Sequence, residues 1–178
     1  MKVLFKLGIM MSIVAGFFCF SSCGYQSPYY IKLAHEITAK TAKKIEKEKG
    51  LLLIGTGGQM MNDIQMMMMG FNFYQEIDLK TARKLIVYVI SEYLSQINNN
   101  KDVRPYLHEY PFTAKNVEIE IFIYHPNGSR LPQEKIYCIS AINGSIYYYR
   151  RGQKQYTEET LCEETYEEAL KRVSNTAG

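Results

Sequence analysis

Histidine, cysteine and an excess of charge are what this sequence has little of. Its 178 residues contain three histidines, four cysteines, and 21 basic against 18 acidic side chains. His35, His108 and His125 belong to no H-E-x-x-H, and no G-x-S-x-G accompanies them, so the common zinc-protease and serine-hydrolase signatures are excluded. His35 sits on an ordinary helical stretch and His125 opens a turn before Pro126; both read as structural or solvated. Cys138 and Cys162 have no histidine pair to complete a zinc site. Balanced charge also lacks the basic footprint that nucleic acid requires. The sequence therefore predicts no metal, no cofactor and no nucleic-acid partner.

Hydrophobic runs of membrane-spanning length are missing too. The longest, residues 7–20, interrupts its apolar side chains only with Ser12 and two glycines. It falls short of the ~20 residues that a spanning helix needs, but it suits the core of a signal peptide. Lys2 and Lys6 precede it, and Phe20-Ser21-Ser22-Cys23 follows at once. This order resembles the signal peptide and lipobox of bacterial lipoproteins, although Phe20 is bulkier than the usual leucine. The resemblance implies cleavage before Cys23, a diacylglyceryl thioether on its thiol, and acylation of the freed amine. One acyl chain holds a protein marginally, at ~0.8 kcal/mol per buried CH₂, whereas two or three make attachment effectively permanent. Gly24 stands where the inner-membrane retention signal has Asp, which implies the outer membrane in a host with two.

Removing residues 1–22 leaves 156 residues, and with Lys2 and Lys6 gone the balance becomes 19 basic against 18 acidic side chains. That is one ordinary domain, expected over residues 31–178 behind a lipidated tether at 23–30. An exported compartment would permit Cys138 and Cys162 to join, provided their Cα atoms come within about 7 Å.

Periodicity supplies the elements. Ile31, Ala34, Ile37, Ala42 and Ile45 recur at helical spacing, with lysines opposite and Gly50 as a stop. That stripe could face the domain's core or anionic lipid. Residues 51–54 read as a buried strand ending in Gly55-Thr56-Gly57-Gly58. Residues 59–75 hold six of the nine methionines; alternating aromatics favour a strand from about Met66 to Glu76, whereas methionine favours helix. Asp78 looks like the N-cap of a helix over 79–97 with a wide apolar face. Val117, Ile119, Ile121 and Ile123 alternate with polar neighbours as a half-buried strand. A strand over 134–142, the turn Asn143-Gly144 and a return over 145–151 form a hairpin, either face of which could be buried. Thr160 and Glu163 match the capping box of a closing helix. Strands with helices between and after them predict an α+β fold, with helices on one face of a mainly antiparallel sheet.

Several constellations have bland readings. Gly55-Thr56-Gly57-Gly58 lacks the third glycine of a dinucleotide loop, because Met60 stands there. Met66 and Met69 have an M-x-x-M spacing suited to Cu(I), but no histidine or cysteine lies near in sequence, and core filling is the simpler role. Tyr147-Tyr148-Tyr149-Arg150-Arg151 mixes aromatics with charge, yet a strand splits them between faces. Asn127-Gly128-Ser129 and Asn143-Gly144-Ser145 mark turns.

Residues 104–112, Arg-Pro-Tyr-Leu-His-Glu-Tyr-Pro-Phe, are the most distinctive. They resemble a stretch of small uncharacterised lipoproteins of chlamydia-related bacteria, which implies an envelope location and no particular activity. The connection that holds them, 98–116, is long for a compact domain, and such loops are disordered or functional. Its aromatics and two prolines argue against disorder. Arg104, Tyr106, His108 and Tyr110 include residue types enriched at binding hot spots, and they are expected either to lid the sheet or to form a partner-binding surface. The function expected is a non-enzymatic envelope lipoprotein, anchored to the membrane through Cys23, that binds or assembles an envelope protein. A small hydrolase with a histidine base and a carrier of hydrophobic ligands are the alternatives.

Overall fold

Proline and glycine bound the first helix, α1 (Tyr29–Lys49). Pro28 stands at its N-cap, and Gly50 closes it at φ 71° with its N–H bonded to the Glu46 carbonyl at 2.8 Å. The structure is a computed structural model that describes residues 27–154 and 157–175. Cys23 and the expected signal segment 1–22 lie outside the described residues. The apolar stripe of α1 packs into the domain's own core, with Ala34 and Ile45 fully buried. Two threonines sit within that stripe. Thr38 and Thr41 return their hydroxyls to the carbonyls of Ala34 and Ile37 at 2.8 and 2.7 Å, so neither is a buried donor without a partner.

Six strands follow in spatial order equal to chain order: β1 (Leu52–Gln59), β2 (Met66–Phe73), β3 (Val117–Ile123), β4 (Ile136–Ile142), β5 (Ser145–Arg151) and β6 (Glu158–Thr165). Only β2 and β3 run parallel, joined by the crossover helix α2 (Leu79–Asn99); every other neighbouring pair is antiparallel. Asp78 caps α2 as expected, accepting from the Thr81 N–H at 2.8 Å. A short helix, α3 (Tyr166–Ser174), closes the domain. The architecture is a single α+β domain with its helices on one face of the sheet. Met67, Met69, Phe71, Val117, Ile119, Ile121, Ile139, Ala141, Ile146 and Tyr148 point to that face and are buried. Each large side chain removed from water there contributes roughly 1.5–3 kcal/mol. The hairpin question is thereby answered: Ile139, Ala141, Ile146 and Tyr148 mark its buried face, while Tyr147 and Tyr149 stack at 6.0 Å on the open one.

Two expectations need correction. The strand at 51–54 is longer and not buried: β1 runs through the glycines to Gln59, all eight of its residues are exposed, and only Leu51 before it is covered. It lies at the sheet edge, where β2 already fills the core. The closing helix starts five residues later than Thr160 predicts. Thr165 and Glu168 form the capping box in its place, and Thr160 and Glu163 lie in β6. Cys138 and Cys162, whose joining the sequence leaves open, are free thiols. Cys138 sits opposite Phe122 and Tyr149 on the open face, whereas Cys162 sits opposite Tyr148 on the helix face. A sheet separates them. Burial pushes the Cys138 thiol up to about 12, so it behaves as a small apolar side chain.

Candidate functional site

Three segments meet at one end of the domain: the start of α1, the β1–β2 connection at 60–65, and the long connection between α2 and β3. The last is ordered by side chains placed to serve its backbone. Asn100 accepts from the N–H groups of Asp102 and Val103 at 3.0 Å each, which turns the chain out of α2. A 3₁₀ turn over Arg104–Tyr106 follows, with Pro105 in its first positions. Val103 and Leu107 plug into the core on either side of that turn. Backbone bonds from Ile64 N–H to the Tyr106 carbonyl (2.8 Å) and from His108 N–H to the Ile64 carbonyl (2.9 Å) stitch the turn to the β1–β2 connection. Asn98 then clasps Phe112 in both directions, donating to its carbonyl at 2.9 Å and accepting from its N–H at 2.8 Å. The Tyr110–Pro111 peptide bond is cis. Asn116 donates to Glu109 at 2.7 Å and accepts from the Thr113 N–H at 2.8 Å, completing a capping box for a second 3₁₀ turn over Ala114–Asn116.

All four residues singled out in the sequence are exposed on this framework. Two of them come together: the Arg104 guanidinium lies 4.3 Å from the Tyr110 ring centroid, and both side chains approach the Asn98 carbonyl. The other two reach different segments. Tyr106 stacks on Tyr30 with centroids 5.7 Å apart and meets the edge of Tyr29 at 6.4 Å. His108 Nδ1 is 2.7 Å from Asp63 Oδ2. That hydrogen bond holds the imidazole above its ordinary range and the carboxyl below its own. The Tyr30 hydroxyl donates to the carbonyls of Met60 and Met61, so the surface continues into the β1–β2 connection, where Met61 is 88% exposed. Tyr29, Tyr30, Met61 and Asp63 thus belong to the same surface. Nothing in their own spacing announces it.

The other constellations fall as follows. Gly55, Gly57 and Gly58 lie within an edge strand and open no helix. The βαβ unit that is present runs from β2 through α2 to β3. Met67 and Met69 fill the core while Met66 and Met68 are half-buried on the open face, so Met66 and Met69 point apart. Among the described residues no group of three histidine, cysteine or acidic side chains is arranged to hold a metal, and no helix is long and apolar enough to cross a membrane. His35 and His125 are exposed, and Asp63 is the side chain hydrogen-bonded to His108.

A second polar cluster had no sequence signal. Glu164, 3% exposed at its side chain, accepts from Arg83 Nε at 2.6 Å and from the Tyr148 hydroxyl at 2.9 Å, and its other oxygen lies 3.2 Å from Arg172 Nε. It ties β6 to α2 beneath the helix layer. The carboxylate opposes ionisation of Tyr148, adding to the larger effect of burial, and both push the phenol well above its ordinary range. Fixed and shielded, this cluster is a structural clamp. Compared with protein-family models, curated proteins and solved structures, the chain matches none.

Proposed function

We propose that this chain is an exported, membrane-anchored lipoprotein, cleaved before Cys23 and lipidated there. Its domain serves the cell envelope as a non-enzymatic binding or assembly module. The observation that carries the binding reading is the surface of Arg104, Tyr106, His108 and Tyr110. These side chains stand in solvent on a connection whose backbone is tied down at Asn98, Asn100, Ile64 and Asn116. Exposed aromatic and arginine groups on a preorganised backbone lose little entropy on binding, which is what a recognition surface requires. Position supports the same reading. Six residue steps separate Cys23 from Tyr29, a reach of at most ~20 Å, and Tyr29 touches Tyr106. A lipid on Cys23 would keep this surface close to the bilayer, where envelope partners are met.

The alternatives draw less support. A hydrolase would need a hydroxyl or thiol at a histidine; Asp63 could orient the His108 ring, but among the described residues no hydroxyl or thiol is hydrogen-bonded to it. A carrier would need a deep apolar cavity; Met66 to Met69 are divided between core and open face, and the groove beside Met60 and Met61 is lined as much by His35, Gln59, Asn62 and Gln65.

Two measurements test the proposal separately. Mass spectrometry of the N-terminal peptide from membranes should find Cys23 as the first residue and acylated, and Cys23→Ala should leave the precursor uncleaved; unmodified Cys23 at an intact N-terminus removes the anchor. A photo-crosslinking side chain at position 106 or 110 should capture one discrete envelope protein, and Arg104→Ala should reduce that capture. The same probe at Lys40, on the exposed side of α1, should not capture it. Equal capture from all three positions removes the surface.

A further inference from the structure

Unpaired positive charge gathers at the end of the sheet away from the surface just described. β5 starts beside the start of β3 and runs the same way, so its last residue, Arg151, lies roughly 20 Å along the sheet from the α2–β3 connection. A groove of about 370 Å³ opens there, lined by Arg130, Gln133, Tyr137, Arg151, Lys154 and Glu158. Its three cations come from three segments: the β3–β4 connection, the end of β5 and the β5–β6 loop. Cations nearby are already matched, Arg150 with Glu159 at 2.8 Å and Lys135 with Glu76 at 2.6 Å. The side chains of Arg130, Arg151 and Lys154 have no hydrogen bond or ion pair among the described residues.

The local fold holds this charge in place. The Arg151 guanidinium lies over the Tyr137 ring, 4.4 Å from its centroid, and its Nε is shielded from water with no acceptor. Native folds rarely leave a shielded donor in that state. Gly152 follows, and a Cβ there would collide with Thr157. Thr157 closes the loop, its carbonyl accepting from the Gly152 N–H at 2.8 Å and its hydroxyl donating to the Lys154 carbonyl at 2.7 Å. The backbone that carries Lys154 is thereby tied to the end of β5. Glu158, the one carboxylate lining the groove, stands opposite Arg151 in register but acts on Tyr137. Burial first, and then this carboxylate, push the Tyr137 phenol above its ordinary range.

We propose that this groove binds a phosphate monoester. Three cations against one carboxylate leave two positive charges, which a monoester dianion matches and a single carboxylate does not. Arginine forks and a lysine suit phosphate oxygens, and an oxyanion in the groove gives the Arg151 guanidinium the acceptors that the fold withholds. Gln133 and Tyr137 remain to meet the group that the phosphate esterifies. Position selects the source. The chain enters the domain at Tyr29, beside Tyr106, so a lipid on Cys23 would hold the opposite end of the sheet at the bilayer. A phosphorylated solute or polymer reaches the groove there, and a headgroup of that bilayer does not. The site itself depends on no reading of residues 98–116.

The test titrates the isotope-labelled full chain with glycerol phosphate at constant ionic strength and follows it by NMR. The Gly152 and Thr157 amides and the Arg151 Nε–H should shift and saturate, and acetate should bind at least fivefold more weakly. Arg130→Gln and Lys154→Gln should each weaken binding at least fivefold. Lys40→Gln, which removes the same charge from the exposed side of α1, should change it less than twofold. Arg130 and Lys154 make no side-chain bond within the fold, so both variants should keep the parent's Tm. Arg151→Lys keeps the charge, loses the fork, and should also weaken binding at least fivefold. Shifts that never saturate, or that chloride reproduces, overturn the site. Saturable binding that ignores Arg130→Gln and Lys154→Gln overturns its location, and acetate binding as tightly overturns the phosphate. Capture by phosphatidic acid vesicles without any response to glycerol phosphate gives these cations to a lipid surface and overturns the proposal too. Crosslinking from position 106 or 110 should be unchanged by Arg130→Gln, so failure here leaves the partner surface standing.

Discussion

Replacing Asn98 with alanine should loosen residues 100–116 from the end of α2. The amide is half-buried and holds Phe112 through two hydrogen bonds, at 2.9 and 2.8 Å, while the Phe112 ring is 2% exposed in the core. Alanine leaves one N–H and one carbonyl without a partner. A buried unmade bond costs about 1–3 kcal/mol, and because water reaches this half-buried site the lower end applies to each, about 2 kcal/mol together. In a domain of this size each kcal/mol moves Tm by about 2–4 °C, so the expected loss is about 4–8 °C. Asn98→Asp is the sharper control. It keeps an acceptor for the Phe112 N–H but turns a carboxylate oxygen toward the Phe112 carbonyl, and should be at least as damaging as alanine. The Asn98 backbone carbonyl, which accepts from Arg104 and Tyr110, survives in both variants. Amide exchange should therefore accelerate first across 100–116, ahead of the sheet. A Tm within about 1 °C of the parent, or exchange that rises uniformly, would refute the idea that this clasp orders the surface.

Three further outcomes follow from the geometry. The His108–Asp63 pair is complete only where the imidazole is protonated and the carboxyl ionised; it is lost as pH rises through His108's raised value and again as pH falls through Asp63's lowered one. An NMR titration should place the His108 midpoint above the ordinary ~6.5 and Asp63→Asn should return it there; a parent midpoint at or below that value argues against the pair in solution. Gly144, at φ 81° with Lys115 Cγ only 3.1 Å from where a Cβ would stand, should not tolerate Gly144→Val, which should cost about 1 kcal/mol or more in urea denaturation; unchanged stability would mean a different turn. Arg83→Met strips the nearest cation from the buried Glu164 and should cost about 3 kcal/mol, at the low end for a broken buried pair because Arg172 remains; a loss below about 1 kcal/mol would mean that water reaches the carboxylate.

Periodic elements were legible in the sequence because burial on one side imposes a period. The alternation from Val117 to Ile123 is repeated in the alternating burial of β3, and Asn143-Gly144 adopts the two positive φ angles, 50° and 81°, that a two-residue hairpin turn demands. The errors came where local chemistry is degenerate. Thr160-x-x-Glu163 and Thr165-x-x-Glu168 are the same capping signal five residues apart. Choosing between them requires knowing that β6 extends far enough for Thr165 to pair with Ser145, and that is tertiary information. Leu52, Leu53 and Ile54 look like core residues by composition. They are exposed because β1 lies at the rim of the sheet beyond the cover of the helices, and no run of four residues encodes its neighbours.

The surface divides along the same line. That residues 98–116 are ordered could be read from aromatics and prolines, since these reduce the freedom of the unfolded chain and supply area to bury. Its exposed members could not be told from its buried ones: Leu107 and Phe112 go inward, Tyr106 and Tyr110 stay outside, and no period distinguishes them. What sorts them is the backbone of another segment. His108 N–H and the Tyr106 carbonyl pair with Ile64, a small parallel bridge that turns Leu107 into the core and leaves its two neighbours facing out. Asp63, next to Ile64, then stands where His108 can reach it, across 45 residues of sequence. A single backbone bridge therefore decides which side chains this connection offers to solvent. Changes at Ile64, itself fully buried, should disturb the surface as strongly as changes within the connection.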